Sequence, residues 1–266
     1  MGKRGRFRSP GGYVEGEDAM EAGGTVPAYS RTADIYDLMV GRYAFDMWRE
    51  NFEKLCRIYP IDASLVADVA CGTGKASRYL ALRGAEVLAT DISERMLKVA
   101  ASAPEAGRVR YMRQDMRRLA LPRRVTLLIC ATDALNHLLQ EEDLRMALAS
   151  FRAALVEGGH ALFDLNTAWQ LREGCDSEPW CFEMEGYTMR WRSRWDGEEN
   201  IATLVMECES PEGDVFVEVH RERSYETGFV IEEALRCGFR GIETHDARGL
   251  ARPTPRSRRI QFVVWV

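Results

Sequence analysis

Residues 66–74 read Val-Ala-Asp-Val-Ala-Cys-Gly-Thr-Gly, and Lys75-Ala76-Ser77-Arg78-Tyr79-Leu80 follows at once with helical spacing. An apolar run, a glycine turn and an amphipathic start, in that order, predict a strand, a tight loop and a helix N-terminus. Gly72 and Gly74 can take positive φ and carry no Cβ, so backbone N–H groups in this loop can approach a ligand closely. The loop is therefore expected to cradle a cofactor.

What the loop lacks narrows the ligand. A triphosphate-binding loop needs a glycine five residues before Gly74 and a hydroxyl residue after Lys75, where this chain has Val69 and Ala76. A dinucleotide fingerprint survives weakly, with Ser77 in place of its third glycine. Asp68, inside the strand and four residues before Gly72, suits a cationic group better than a pyrophosphate. A second short apolar strand, Glu86-Val87-Leu88-Ala89-Thr90-Asp91, ends in a carboxylate placed to accept from ribose hydroxyls. A third, Val109 to Met116, ends in Asp115-Met116.

The chain alternates on either side of these units. Ala33 to Tyr59 carries helical spacing at Ile35, Leu38, Met39, Phe45, Trp48, Phe52 and Leu55, which predicts one or two helices before the first strand. Val125–Cys130 reads as a fourth strand buried on both faces. Glu141 to Leu155 reads as a helix stopped by Gly158-Gly159, and His160–Leu165 as a fifth strand. This order predicts a doubly wound, mostly parallel α/β sheet of the Rossmann-like kind, with its ligand at the carboxyl ends of the strands. Near residue 178 the period changes to two. Three runs, Tyr187 to Trp195, Ile201 to Cys208 and Val215 to Arg221, predict an antiparallel β-meander inserted after the fifth strand. A helix from Phe229 to Cys237 and two last strands then complete the sheet. The expected organisation is a disordered tail over 1–26, an α/β portion over 27–177, the β insertion over 178–223 and the C-terminal completion over 224–266.

Composition excludes other classes. A net charge of −5 gives no electrostatic reason to expect nucleic-acid binding. Seven cysteines without a Cys-x-x-Cys, and four histidines without ligand spacing, argue against a structural metal and a disulfide scaffold, and so for a reducing, cytoplasmic setting. No apolar run is long enough to cross a bilayer. The row Arg190, Arg192, Arg194 on the meander reads either as an acid-binding face or, more simply, as a solvated face answered by Glu218 and Glu222.

The run Asp68 to Gly74, with Asp91 and Asp115-Met116 behind it, resembles the first motifs of class I S-adenosylmethionine-dependent methyltransferases. The helix–strand–loop–strand order at the C-terminus resembles their reversed last hairpin. Asn136-His137-Leu138, Asp34-Ile35-Tyr36-Asp37-Leu38 and Ser257-Arg258-Arg259-Ile260-Gln261-Phe262 resemble small-molecule N-methyltransferases that act on amino sugars and glycine. The resemblance implies S-adenosylmethionine as cofactor and S-adenosylhomocysteine as product. It implies a cofactor site of Tyr36, Trp48, Asp68, Ala70, Gly72, Gly74, Asp91, Ile92, Met96, Asp115, Met116 and Thr132. Tyr36 would cover the methyl donor, Asp115 would accept from the adenine amine, and Met116 and Ile92 would flank the ring. His137 would take the acceptor's proton and Arg259 would meet the acceptor, a small molecule methylated at nitrogen or oxygen. A homodimer is left open. Plainer readings stand beside these: Asp91 or His137 can cap the next helix, and Asp115 can be a turn residue. A nicotinamide-dependent oxidoreductase and a non-catalytic sensor of S-adenosylmethionine are the competing functions.

Overall fold

A computed structural model describes residues 25–175 and 177–266, with the side chains of residues 41–43 outside the description. Most of the sequence-predicted tail, residues 1–24, lies outside the described residues. Its last two residues do not belong to a tail: Thr25–Val26 form a short strand, β1.

Helix α1 runs over Tyr36–Ile58 as one helix of 23 residues, preceded by a single 3-10 turn at Thr32–Asp34. The α/β units follow as β2 (Leu65–Val69), α2 (Lys75–Leu82), β3 (Glu86–Asp91), α3 (Glu94–Ser102), β4 (Val109–Arg113), β5 (Val125–Cys130), α4 (Glu141–Ala154) and β6 (Leu155–Asn166). After the short helix α5 (Ala168–Arg172) come four strands: β7 (Trp180–Met184), β8 (Tyr187–Asp196), β9 (Ile201–Glu209) and β10 (Val215–Arg223). Helix α6 (Thr227–Arg236) and strands β11 (Gly241–Asp246) and β12 (Arg259–Trp265) complete the chain.

The main sheet has seven strands in the order β11-β12-β6-β5-β2-β3-β4. Strands β2 to β6 pair in parallel, and β12 is antiparallel to both its neighbours, which is the reversed C-terminal hairpin. Alternate residues of each strand serve two cores. On β5, Leu128 and Cys130 pack with Leu144, Leu148 and Phe151 of α4 and Val230 of α6, whereas Leu127 and Ile129 pack with Phe52 and Leu55 of α1 and Leu80 of α2. Each such fully buried Leu or Phe contributes about 1.5–3 kcal/mol, so the continuous apolar strands are stable only with helices on both faces.

The expected stop of α4 at Gly158-Gly159 is not what forms. The helix ends at Ala154, and both glycines lie inside β6, where the pairing with β5 shifts register between Val125 and Leu127. A Cβ on Gly159 would sit 2.9 Å from the Val156 carbonyl oxygen, so the glycine serves a strand irregularity rather than a helix cap.

The inserted strands form a second sheet of five, in the order β1-β10-β9-β8-β7, with β1 parallel to β10 and the others antiparallel. It holds two more strands than the meander read from sequence. β7 extends one edge and the distant β1 extends the other. Its apolar face, Met189, Met206, Cys208 and Phe216, packs against Ile35 and Met39 at the start of α1. Arg190 and Arg192 pair with Glu207 on β9, correcting the expected partners Glu218 and Glu222, because the register sets Arg190 opposite Glu207. The second sheet thus holds the chain around residues 25–40 over the carboxyl ends of the main sheet. Among the described residues no helix is long and apolar enough to cross a membrane.

Candidate functional site

The strand order reverses direction at β2, from which the chain proceeds to β3 on one side and later to β5 on the other. A cavity of about 480 Å³ opens at the carboxyl ends of these three strands, the place where such sheets bind ligands.

The glycine loop forms its floor. Ala70 and Gly72 both have positive φ (55° and 53°), and a Cβ on Gly72 would meet nothing within 4 Å, so its surface is open to a ligand. Gly74 has a different purpose. It is outside the cavity lining, its φ is 74°, and a Cβ there would lie 2.6 Å from Tyr111 Oη. It lets the loop pass beneath Tyr111 into α2.

Asp68 is 2% exposed and lines the cavity, hydrogen-bonded to the Ser77 hydroxyl. Burial pushes its carboxyl up to about 7, against the opposing Ser77 bond. The Ser77 position, which a dinucleotide fingerprint would use for close helix packing, is here the partner of a carboxylate. Asp91 also lines the cavity. Its Oδ2 accepts the Gly72 N–H and its Oδ1 the Ser93 N–H, each at 2.8 Å. An ionised carboxylate has about four acceptor positions, so these two bonds leave about two free on a residue that lines the cavity. The cap of α3 is Ser93, which accepts from Met96 N at 3.2 Å.

Tyr36, Trp48, Ile92, Met96, Met116, Thr132 and His137 complete the part of the lining expected from sequence. Tyr36 is set in place by its neighbour: Asp37 accepts from the Thr73 hydroxyl at 2.7 Å and pairs with Lys75 at 3.2 Å, tying α1 to the glycine loop. Burial raises the Tyr36 hydroxyl well above its ordinary pKa, so it stays protonated.

Besides Gly74, two expected residues are not in this lining. Asp115 is outside it, with both carboxylate oxygens engaged by the Arg117 guanidinium and Oδ1 also by the Arg117 N–H. Arg259 is held in a part-buried network instead. Its guanidinium reaches Asp133 (3.2 Å), Asp164 (3.5 Å) and Asn166 (3.1 Å). The Asn166 amide donates to Asp133 (2.6 Å) and Glu222 (3.0 Å). Asp164 accepts the N–H groups of Thr132 and Asp133, two consecutive non-glycine residues with positive φ. Such backbone costs about 1–3 kcal/mol per residue and persists only where neighbours enforce it. Burial, with Asp133 beside it, pushes Glu222 up to about 7.

Tyr29 and Arg221 line the cavity and had no signal in the sequence. Tyr29 is an isolated tyrosine before the first helix, and Arg221 lies among several charged residues on β10. His137 meets both: its Nε2 is 3.0 Å from the Tyr29 hydroxyl and its Nδ1 is 3.2 Å from the Arg221 carbonyl oxygen. Burial holds its pKa below that of an ordinary imidazole, with the Asp133 carboxylate opposing.

A second cavity of about 510 Å³ adjoins the network on its other side. Asn166 and Arg259 belong to its lining, with Arg248, Arg256 and Arg258 around them.

The chain is similar to known methyltransferases. Residues 66–159 match the family model described as a methyltransferase domain. A Bacillus subtilis (strain 168) protein named as a methyltransferase, YqeM, is 27% identical over 79% of this chain and 86% of its own length. The dTDP-3-amino-3,6-dideoxy-alpha-D-glucopyranose N,N-dimethyltransferase of Streptomyces fradiae is 31% identical over 48% of this chain and 50% of its own length. The crystal structure of an S-adenosylmethionine-dependent methyltransferase from Clostridium acetobutylicum ATCC 824 superposes with a TM-score of 0.77 at 21% identity. That match covers 89% of this chain and 98% of the other.

Proposed function

This chain is an S-adenosylmethionine-dependent methyltransferase, and from that premise we propose that it methylates the amine nitrogen of a small molecule that also carries an anionic group. The observation that carries this reading is the charge balance beside His137 and Tyr36. Three carboxylates, the buried Asp164 and the half-buried Asp133 and Glu222, face one guanidinium, Arg259. Carboxylates that outnumber the guanidinium, with burial pushing Glu222 up to about 7 beside Asp133, are held in their ionised form by a cationic partner, which an amine supplies when protonated and a hydroxyl does not.

The cavity's donors and acceptors fit the cofactor. Asp68 suits its ammonium, the open positions on Asp91 suit ribose hydroxyls, and Ile92, Met96 and Met116 form an apolar slot for the adenine. When bound, S-adenosylmethionine supplies an electrophilic methyl carbon: the acceptor's lone pair forms the new bond and the methyl–sulfur electron pair leaves with sulfur as S-adenosylhomocysteine. The protein's work is alignment, exclusion of water and removal of a proton. Tyr36 and Trp48 close the cavity from α1, and His137, kept neutral by burial, is the proton acceptor.

The second cavity supports the anionic part. Arg248, Arg256 and Arg258 stand around the Asn166–Arg259 face that adjoins the carboxylate network, and guanidinium groups recognise phosphates and carboxylates bidentately. The S. fradiae relative is named for a substrate of this chemical kind, an amino sugar joined to a nucleoside diphosphate.

The test is a panel of amines with and without a phosphate or carboxylate, and their hydroxyl isosteres, read by S-adenosylhomocysteine release. Amines bearing the anion are expected to turn over best, and Arg256→Ala is expected to raise their KM without raising that of plain amines. Preferential turnover of the hydroxyl isosteres overturns the reading.

A further inference from the structure

Glu218 lies on β10 with no exposure to solvent, yet its carboxyl is held low. Burial alone would push it up, but bonds from His220, Thr32 and Arg31 prevail and bring it to about 2. Oε1 accepts the N–H groups of Arg31 (2.7 Å) and Thr32 (2.9 Å), and Oε2 accepts the Tyr29 N–H (3.0 Å) and the Thr32 hydroxyl (2.6 Å). His220 Nε2 stands 3.1 Å from Oε2. Four of these five partners belong to residues 29–32, so one carboxylate gathers the whole segment that crosses the cavity.

The consequence falls on Tyr29. Its φ is 58°, a left-handed conformation that a bulky residue adopts only under constraint. The Tyr29 carbonyl is fixed as well, accepting from the Ser93 hydroxyl at 3.0 Å. Held this way, the ring stands edge-on to His220 and Tyr36, and the hydroxyl lies 3.0 Å from His137 Nε2. The direction of that last bond is determined by chemistry. The Arg221 carbonyl beside Nδ1 can only accept, so neutral His137 carries its proton on Nδ1 and presents the Nε2 lone pair to the Tyr29 hydroxyl.

We infer that Tyr29 is the catalytic residue through which the acceptor's proton reaches His137, and that Glu218 is the positioning residue that sets Tyr29 in line. As the proton leaves the acceptor nitrogen for Tyr29 Oη, the hydroxyl's own proton passes to His137 Nε2. The N–H electron pair stays on nitrogen and neutralises it. The resulting imidazolium donates to the Arg221 carbonyl and to Tyr29, with the Asp133 carboxylate nearby. The proton path rests on the amine reading above, whereas the placement of Tyr29 by Glu218 does not.

The test uses the full chain with Tyr29→Phe, Glu218→Gln, their double variant and Thr32→Val, which removes one donor to Glu218 while keeping its shape. Nitrogen-15 NMR of the four imidazoles, without ligand and assigned with His137→Gln, reads the Nε2 lone pair directly. Tyr29→Phe is expected to move the His137 Nε2 resonance downfield. Glu218→Gln should move it the same way, the double variant no further, and Thr32→Val partway, which decides the matter should Glu218→Gln not fold. With an amine acceptor, kcat should fall about 10²-fold in Tyr29→Phe and no further in the double variant, with S-adenosylhomocysteine affinity unchanged. An unmoved resonance in both Glu218→Gln and Thr32→Val, or additive losses in the double variant, overturns the positioning role. A moved resonance with unchanged kcat in Tyr29→Phe overturns the proton path. If no amine is methylated at all, the amine reading fails while the resonances still decide the placement.

Discussion

Asp68 makes cofactor affinity depend on pH in a direction opposite to its effect on stability. Its carboxyl is buried and titrates near 7 rather than near 3.8, with the Ser77 hydroxyl as its hydrogen-bond partner. On its assignment to the cofactor's ammonium, only the ionised form binds well. The ionised fraction falls from about three-quarters at pH 7.5 to about one-tenth at pH 6, so affinity should fall about eightfold over that range. Stability runs the other way. Because the folded pKa is raised, the group's stabilising contribution is complete below about 3.8 and is lost as pH rises through about 7. Asp68→Asn should therefore lose the pH slope, bind about 10- to 150-fold more weakly at pH 7.5 through loss of a charge-assisted bond, and melt at or above the temperature of the parent at that pH. Calorimetric titration with S-adenosylhomocysteine at several pH values, beside thermal melts of the ligand-free protein, measures both. Affinity that is flat between pH 6 and 7.5, or a slope that survives in Asp68→Asn, would refute the assignment.

Asp91→Ala removes the open acceptor positions at the cavity and leaves the Gly72 and Ser93 N–H groups without their carboxylate. Cofactor affinity should drop about 10- to 150-fold by calorimetry; a change within about threefold would show that Asp91 does not meet the ribose. Gly74→Ala combines a positive φ with a Cβ 2.6 Å from Tyr111 Oη, so denaturant unfolding should show a loss of about 1–3 kcal/mol, reduced in the double variant with Tyr111→Phe. An undiminished loss in that double variant would show that the hydroxyl contact does not carry the cost.

The layers of the fold were legible because they depend on period. Continuous apolar runs such as Val125–Cys130 can be stable only between two helical layers, and the period-2 stretch from Tyr187 cannot belong to a doubly wound sheet. Where the reading went astray, the missing information was a partner distant in sequence. Gly158-Gly159 read as a helix stop because nothing in the run itself reveals that it enters β6 beside β5, where a Cβ on Gly159 would press on the Val156 and Thr126 carbonyl oxygens at 2.9 and 3.1 Å. Arg190 and Arg192 were matched to the wrong glutamates because pairing follows from strand register. β1 was unreadable because two residues carry no period of their own.

The sequence by itself determined where the glycine loop and the two carboxylates of the cavity, Asp68 and Asp91, would lie. The glycine loop, Asp68 and Asp91 lie at the ends of adjacent strands, so their relation follows from strand order and needs no long-range contact to be deduced. Tertiary structure alone decided what surrounds His137 and Arg259, two residues the sequence had singled out. Tyr29, His137, Glu218 and Arg221 come from three separate stretches of chain. Asp133, Asp164, Glu222 and Arg259 are similarly dispersed. They meet because the second sheet packs its apolar face on the start of α1 and because β12 returns antiparallel beside β6. Buried charges gathered from distant segments have no spacing to reveal them; only the closed fold, by removing water from around them, gives them their chemistry.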